Sequence, residues 1–323
     1  MENILIRNAN FDDLPYLLQL RKESINEKNS LKKCVNILNF EENNKKFFIN
    51  NFNKDSDIVV AENNNNLVGM FYVKYMHLLP GLDSKMDKSA FLMFNYITKD
   101  FRNINNWNQL LDKSIQNAKK RGFNVFELVT TPKYLSQLEK LGFLKTPFPV
   151  VKLDLRSYNG LKYKNNLETS YRLADNSDIE EIIKIRRKYL NGIFNLNDKL
   201  IIFDMERRLK EYLKKYLGKR LDIFLEIYNG KIASAIFYLY YENIPEDEND
   251  KFIIGIPSNF YTEKAHINSW SLEMLFDYSM KILNSKGISI LEMAIPEEKL
   301  EFYKKLGFCA VNDISMYKEI RRI

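Results

Sequence analysis

The chain repeats itself, and this limits its fold more than any other feature. The segment Arg7-Asn8-Ala9-Asn10-Phe11-Asp12-Asp13 returns 165 positions later as Arg172-Leu173-Ala174-Asp175-Asn176-Ser177-Asp178. Gly122 and Gly287, Glu127 and Glu292, and Leu141-Gly142-Phe143 and Leu306-Gly307-Phe308 keep the same spacing, while Trp107 and Trp270 lie 163 apart. A constant offset over the whole length reads as a tandem duplication with a two-residue difference in one loop. At 323 residues the chain is long enough for two domains, each with its own core. They are expected at 1–157 and 168–323, joined through the polar stretch that runs from Ser157-Tyr158-Asn159-Gly160 to Asn165-Asn166.

Periodicity gives the order of elements within each copy. A short strand ends at an Asp-rich corner, where Asp12 or Ser177 is expected to cap a helix whose apolar residues lie three and four apart (Leu14, Leu17, Leu18; Ile179, Ile182, Ile183). A second helical region follows near 30–52 and 198–217. Two strands then flank a tight turn, marked in the second copy by Asn229-Gly230, a pair that tolerates positive φ. After these come a third long strand (90–97; 252–256), a helix (106–120; 269–285), a strand (125–129; 289–294) and a short helix running into Leu-Gly-Phe. The order β-α-α-β-β-β-α-β-α-β, in duplicate, predicts an α/β protein of two domains, each a mixed, mostly antiparallel sheet flanked by helices.

Composition excludes several classes of function. With 45% hydrophobic and 28% charged residues, the chain is neither disordered nor a disulfide scaffold. Its longest apolar run, at 232–241, falls well short of the ~20 residues of a membrane span, so no membrane partner is expected. The opening Met-Glu-Asn-Ile-Leu-Ile-Arg lacks the basic start and apolar core of a secretory signal, which points to a cytoplasmic protein. Cys34, Cys309, His77 and His266 show no ligand spacing, so no metal site is expected and both thiols read as packing residues. The net charge of +7 suits an anionic ligand such as a phosphorylated cofactor, but the arginines are scattered, a weak footprint for nucleic acid. The asparagines at 63–66 read as compositional bias.

The order of elements in each half, and the corner Tyr303-Lys304-Lys305-Leu306-Gly307-Phe308, resemble the GNAT superfamily of N-acetyltransferases. The resemblance covers nearly the whole chain, twice. It implies acetyl-CoA or another acyl-CoA as co-substrate. In the family the cofactor pyrophosphate is received where the pattern Arg/Gln-x-x-Gly-x-Gly/Ala presents backbone N–H groups and a helix N-terminus. In the first copy Arg102 takes the basic position and Asn105 and Trp107 the glycine positions, with Asn103 and Asn106 beside them. In the second copy these positions are Ala265, Asn268 and Trp270, with Ser269 between. Here the chain departs from the family. Asn can supply a left-handed backbone, but Trp puts a ring where a phosphate would approach; the alternative is that each Trp packs at the start of its helix.

The family's catalytic tyrosine, which protonates the departing thiolate, corresponds to Tyr303 in the second copy and to Leu138 in the first. The general base often sits on the fourth or fifth strand, where Glu292 and Glu127 occupy matching fifth-strand positions between apolar neighbours. The alternative is that each glutamate projects from an exposed strand face and that Tyr303 is a core aromatic. The acidic loop at 242–250 would attract a cationic amine or simply be solvated, and Ser258, Asn259, Tyr261 and Glu263 are further polar candidates.

Three readings follow. The first is an N-acyltransferase acting on an amine of a small molecule or peptide, with Tyr303 and Glu292 catalytic and the first copy structural. The second is a FemABX-type transferase that takes its donor from aminoacyl-tRNA. The third is a non-catalytic binding or regulatory protein. The sequence leaves acceptor, acyl group and oligomeric state open.

Overall fold

The computed structural model describes residues 4–29, 37–160, 169–194, 199–245, 252–266 and 271–320. The first copy runs β1 (Leu5–Asn8), α1 (Leu14–Asn29), α2 (Ile37–Asn51), β2 (Ser56–Asn63), β3 (Asn66–His77), β4 (Lys88–Ile97), α3 (Ile104–Lys120), β5 (Val125–Thr130), α4 (Leu135–Lys140), β6 (Leu144–Lys145) and β7 (Val150–Asp154). The second repeats it: β8 (Thr169–Leu173), α5 (Ile179–Phe194), α6 (Lys199–Tyr216), β9 (Leu221–Tyr228), β10 (Lys231–Asn243), β11 (Phe252–Thr262), α7 (Ser271–Ser285), β12 (Ile288–Ala294), α8 (Leu300–Lys305), β13 (Cys309–Ala310) and β14 (Ile314–Glu319). This is the order expected from the sequence, with one short extra strand before the last.

The repeated heptapeptide forms the corner between first strand and first helix. The caps are not Asp12 and Ser177, as periodicity suggested, but Asn10 and Asp175, one short turn earlier. Each closes a capping box with the Asp three residues on, and Arg7 and Arg172 each donate to that same carboxylate at 2.7 Å. The asparagines at 63–66 are likewise more than a compositional tract. Asn64 and Asn65 take φ of 48° and 63°, as Asn229 and Gly230 do in the second copy, which is the backbone a two-residue hairpin requires.

The two halves do not each complete their own sheet. One sheet has the order β1-β2-β3-β4-β5-β14-β6 and the other β8-β9-β10-β11-β12-β7-β13. The last strand of each copy thus crosses to the other: Met316 lies opposite Leu128, and Val151 opposite Met293. The exchange is sealed by packing. Met316 is fully buried with Phe126, Leu128 and Phe143, while Val151 and Leu153 are buried with Leu291 and Phe308. Among the described strands, β4–β5 and β11–β12 are the pairs that run parallel.

Matching positions also meet across the junction. Arg21 donates to the Pro245 carbonyl at 2.6 Å, and its counterpart Arg186 donates to the Pro80 carbonyl, the counterpart of Pro245, at 3.2 Å. Ile244 is buried in the first copy's core, and Leu79 and Leu82 pack on the second. Asp55 pairs with Arg220, its own counterpart, at 2.5 Å, as expected near a pseudo-two-fold axis. At these positions the copies are joined by reciprocal contacts.

Candidate functional site

In each copy the parallel strands part company. β4 pairs with β5 only from Ser89 to Leu92, and β11 with β12 only from Ile253 to Gly255; beyond these points β4 and β11 continue, paired to β3 and β10 alone. A wedge opens between the fourth and fifth strands of each copy. Gly255 sits where the second wedge begins, and a Cβ there would stand 2.6 Å from Leu291 Cδ2, so any side chain would force Leu291 to move.

The first copy's helix N-terminus beside its wedge is occupied by the protein's own groups. Asn103 caps α3, its side-chain oxygen accepting from the Asn106 N–H at 3.0 Å, and Asn106 Nδ2 donates to the Phe101 carbonyl at 2.8 Å. Arg102 donates to the Ile97 carbonyl at 2.8 Å and forms a two-pronged ion pair with Glu27 of α1 at 2.6 and 2.9 Å. Asn105 is exposed. Trp107, partly buried, packs edge-on against Phe71 at 5.6 Å, on the flank of the core. The turn's arginine and its helix cap are therefore already engaged by the protein's own groups. Glu127 accepts a hydrogen bond from the Ser89 hydroxyl on β4, and burial pushes its carboxyl above the ordinary carboxylate range.

In the second copy Tyr303 is buried, its ring edge-on to Phe260 on the open part of β11 at 5.5 Å and to Phe308 at 5.6 Å. Burial, with Tyr189 of α5 nearby, pushes its hydroxyl well above the usual phenol range. Leu138 fills the matching place in the first core. Glu292 pairs with Lys152 at 3.2 Å, and Lys152 also reaches Asp313 at 3.0 Å. Burial opposes the charge on Lys152, but the two carboxylates hold its pKa above normal. Because Lys152 belongs to the exchanged strand β7, the first copy supplies Glu292's partner. Lys188 engages Glu263, and Tyr261 is buried nearby with its hydroxyl pushed up to about 12, chiefly by burial. Asn268, Ser269 and Trp270, and most of the acidic loop, lie outside the described residues.

Beside this wedge sits a residue that sequence reasoning missed. Arg186, on the buried stripe of α5 with Ile182 and Leu190, is 8% exposed and donates to Asn259 Oδ1 at 3.1 Å. Asn259 is 3% exposed and stands at a bulge of β11 with φ of 51°. The signal was an arginine four residues from apolar neighbours on both sides, recurring at the repeat offset from Arg21. Among the described residues no His/Cys/Asp/Glu group has metal-site geometry, and no helix is long and apolar enough to cross a membrane.

Comparison with solved structures places this architecture. A GCN5-related N-acetyltransferase from Sphaerobacter thermophilus aligns with 99% of this chain and 96% of its own, at 11% identity and a TM-score of 0.59. A tandem GNAT protein from the clavulanic acid biosynthesis pathway aligns over 99% of this chain and 100% of its own, at 10% identity and a TM-score of 0.55. The glucosamine N-acetyltransferase region of a fungal multi-domain GH3 β-N-acetylglucosaminidase aligns with 98% of this chain at 11% identity and a TM-score of 0.57; the chain spans 38% of that longer protein. No family model and no curated protein matches the chain. At these identities the likeness reaches the fold and no further. Two parted parallel strands in each half, matched end to end by such neighbours, give the chain its class: it has the GNAT fold twice, in tandem.

Proposed function

We propose that the chain is an N-acyltransferase that moves an acyl group from acyl-CoA to an amine, with the chemistry in the second copy. One observation carries this reading: at matching positions the second copy holds a buried tyrosine, Tyr303, against the open edge of its wedge, and the first holds Leu138. The amine nitrogen attacks the thioester carbonyl, a C–N bond forms, and the C–S bond breaks as the intermediate collapses. Two proton movements are needed. The amine proton passes to a carboxylate, for which Glu292 on β12 is the candidate, held in place by Lys152. The departing thiolate, with a parent pKa of ~8.5, takes its proton from the Tyr303 hydroxyl. A phenol is protonated at neutral pH, the form a general acid needs, and burial raises this one further.

The first copy's turn supports a structural role. Arg102 is engaged by Glu27, Asn103 caps its own helix, and Trp107 is packed on Phe71. Acyl-CoA would then be served by the second copy alone, in the wedge between β11 and β12. Tyr303→Phe tests the assignment, since it removes only the hydroxyl. Turnover, measured as CoA release, should fall roughly 10²–10⁴-fold with folding intact. Full activity in that variant would return Tyr303 to a packing role.

A further inference from the structure

We propose that Arg186 and Asn259 form a carboxylate-binding subsite, so that the acceptor amine also carries a carboxylate, as an amino acid or short peptide does. The subsite's existence is read from the geometry; its role as acceptor site rests on the acyltransferase reading.

The duplication supplies an internal control. In the first copy Arg21 is closed off: its Nε donates to Asn44 Oδ1 at 3.1 Å, its Nη2 to the Pro245 carbonyl, and the rings of Phe94 and Phe40 stand 4.3 and 5.5 Å from its guanidinium carbon. In the second copy three of those partners have changed, Met205 standing where the first copy has Phe40. Leu209 takes the position of Asn44, and Asn259 that of Phe94. Arg186 keeps the proline carbonyl, but among the described residues its Nε has no hydrogen-bond partner. Asn259 turns its oxygen to Arg186, which leaves Nδ2 without a partner as well.

Two adjoining, buried, unsatisfied groups are costly, and both are donors. The guanidinium also has no carboxylate bonded to it among the described residues; Asp87, an acid that acts on it from a distance, is bonded to Arg208. One positive charge with two free donors and no free acceptor fits a single planar anion, a carboxylate, which can take both bonds through its two oxygens. Place adds to this. Asn259 is adjacent to Phe260, whose ring touches Tyr303, and Tyr189 lies beside both Arg186 and Tyr303. A carboxylate held here would sit against the open part of β11 that borders the wedge.

The experiment compares the full chain with the double variant Leu209→Asn/Asn259→Phe. It restores two of the three residues that differ around Arg21, leaving Met205 in the place of Phe40, and its Tm verifies folding. CoA release from acetyl-CoA is measured with L-amino acids and with the amines left when their carboxylates are removed. Binding of acetate and of inorganic phosphate is read separately by calorimetry. The wild type should favour amino acids in kcat/KM by about 10- to 100-fold, the worth of charge-assisted hydrogen bonds, and in the double variant that ratio should fall toward one. Acetate should bind the wild type and lose at least tenfold in the variant. Equal use of the decarboxylated amines overturns the subsite and leaves the acyltransferase reading standing. No turnover with any amine, together with acetate binding that depends on Asn259, upholds the subsite and overturns that reading. Phosphate binding in preference to acetate, or no anion binding at all, overturns the carboxylate assignment.

Discussion

The exchange of final strands predicts that a mutation near the end of the chain will loosen a strand far back in the first half. Met316 on β14 is fully buried beside Leu128, its partner on β5. Met316→Ala should cost about 2–5 kcal/mol, the range for truncating a buried side chain where the cavity only partly collapses. The mirror change, Val151→Ala on β7, removes two carbons at ~0.8 kcal/mol each, about 1.6 kcal/mol before any cavity is counted. Domains commonly hold about 5–15 kcal/mol, so both variants should stay folded. Amide hydrogen exchange followed by peptide shows where stability is lost. At ~2 kcal/mol, opening becomes about 30-fold more frequent. For Met316→Ala the faster amides should lie in β5, at Val125–Thr130, and for Val151→Ala in β12, at Ile288–Ala294. If Met316→Ala instead loosened β12 and spared β5, β14 would belong to its own copy's sheet and the exchange would be refuted.

Two further changes probe the first copy. Burial raises the Glu127 carboxyl, so the folded chain binds that proton more tightly than the unfolded one. Its contribution is complete below the ordinary carboxylate range and is lost as pH rises through the raised value. Glu127→Gln keeps an acceptor for Ser89 and cannot ionise, so its Tm should fall less than wild type between about pH 4 and pH 8; identical profiles would contradict the assignment. Arg102→Ala breaks a largely exposed pair with Glu27 and should cost about 0.2–1 kcal/mol in urea unfolding. A loss several times larger would mean that its bonds to the Ile97 carbonyl hold the turn together.

The repeat made the architecture legible, because one offset carried the corner, the strands and the Leu-Gly-Phe turns together. It also hid the exchange. β7 and β14 occupy the same place in their copies, and each alternates so that it fits either sheet; Val151 and Met316 are interchangeable until their neighbours are known. Tyr303 and the two fifth-strand glutamates could be named from position, but their partners could not. Ser89 and Glu127 are 38 residues apart, Arg102 and Glu27 75, and Lys152 reaches Glu292 only because its strand crosses over. The caps were misjudged for a local reason: several Asn and Asp residues compete at each corner, and a short turn ahead of the helix moved the cap to Asn10 and Asp175. Arg186 was visible as a charge on an apolar stripe, while its unsatisfied nitrogen depended on Leu209, on another helix.

The central claim is that one copy serves acyl-CoA and the other has closed its site with its own side chains. Calorimetric titration of the full chain with acetyl-CoA tests it most directly. The account predicts one site per chain, with affinity unchanged by Arg102→Ala, whose guanidinium is already engaged by Glu27. Two sites per chain, no binding, or a loss of affinity in Arg102→Ala would contradict it.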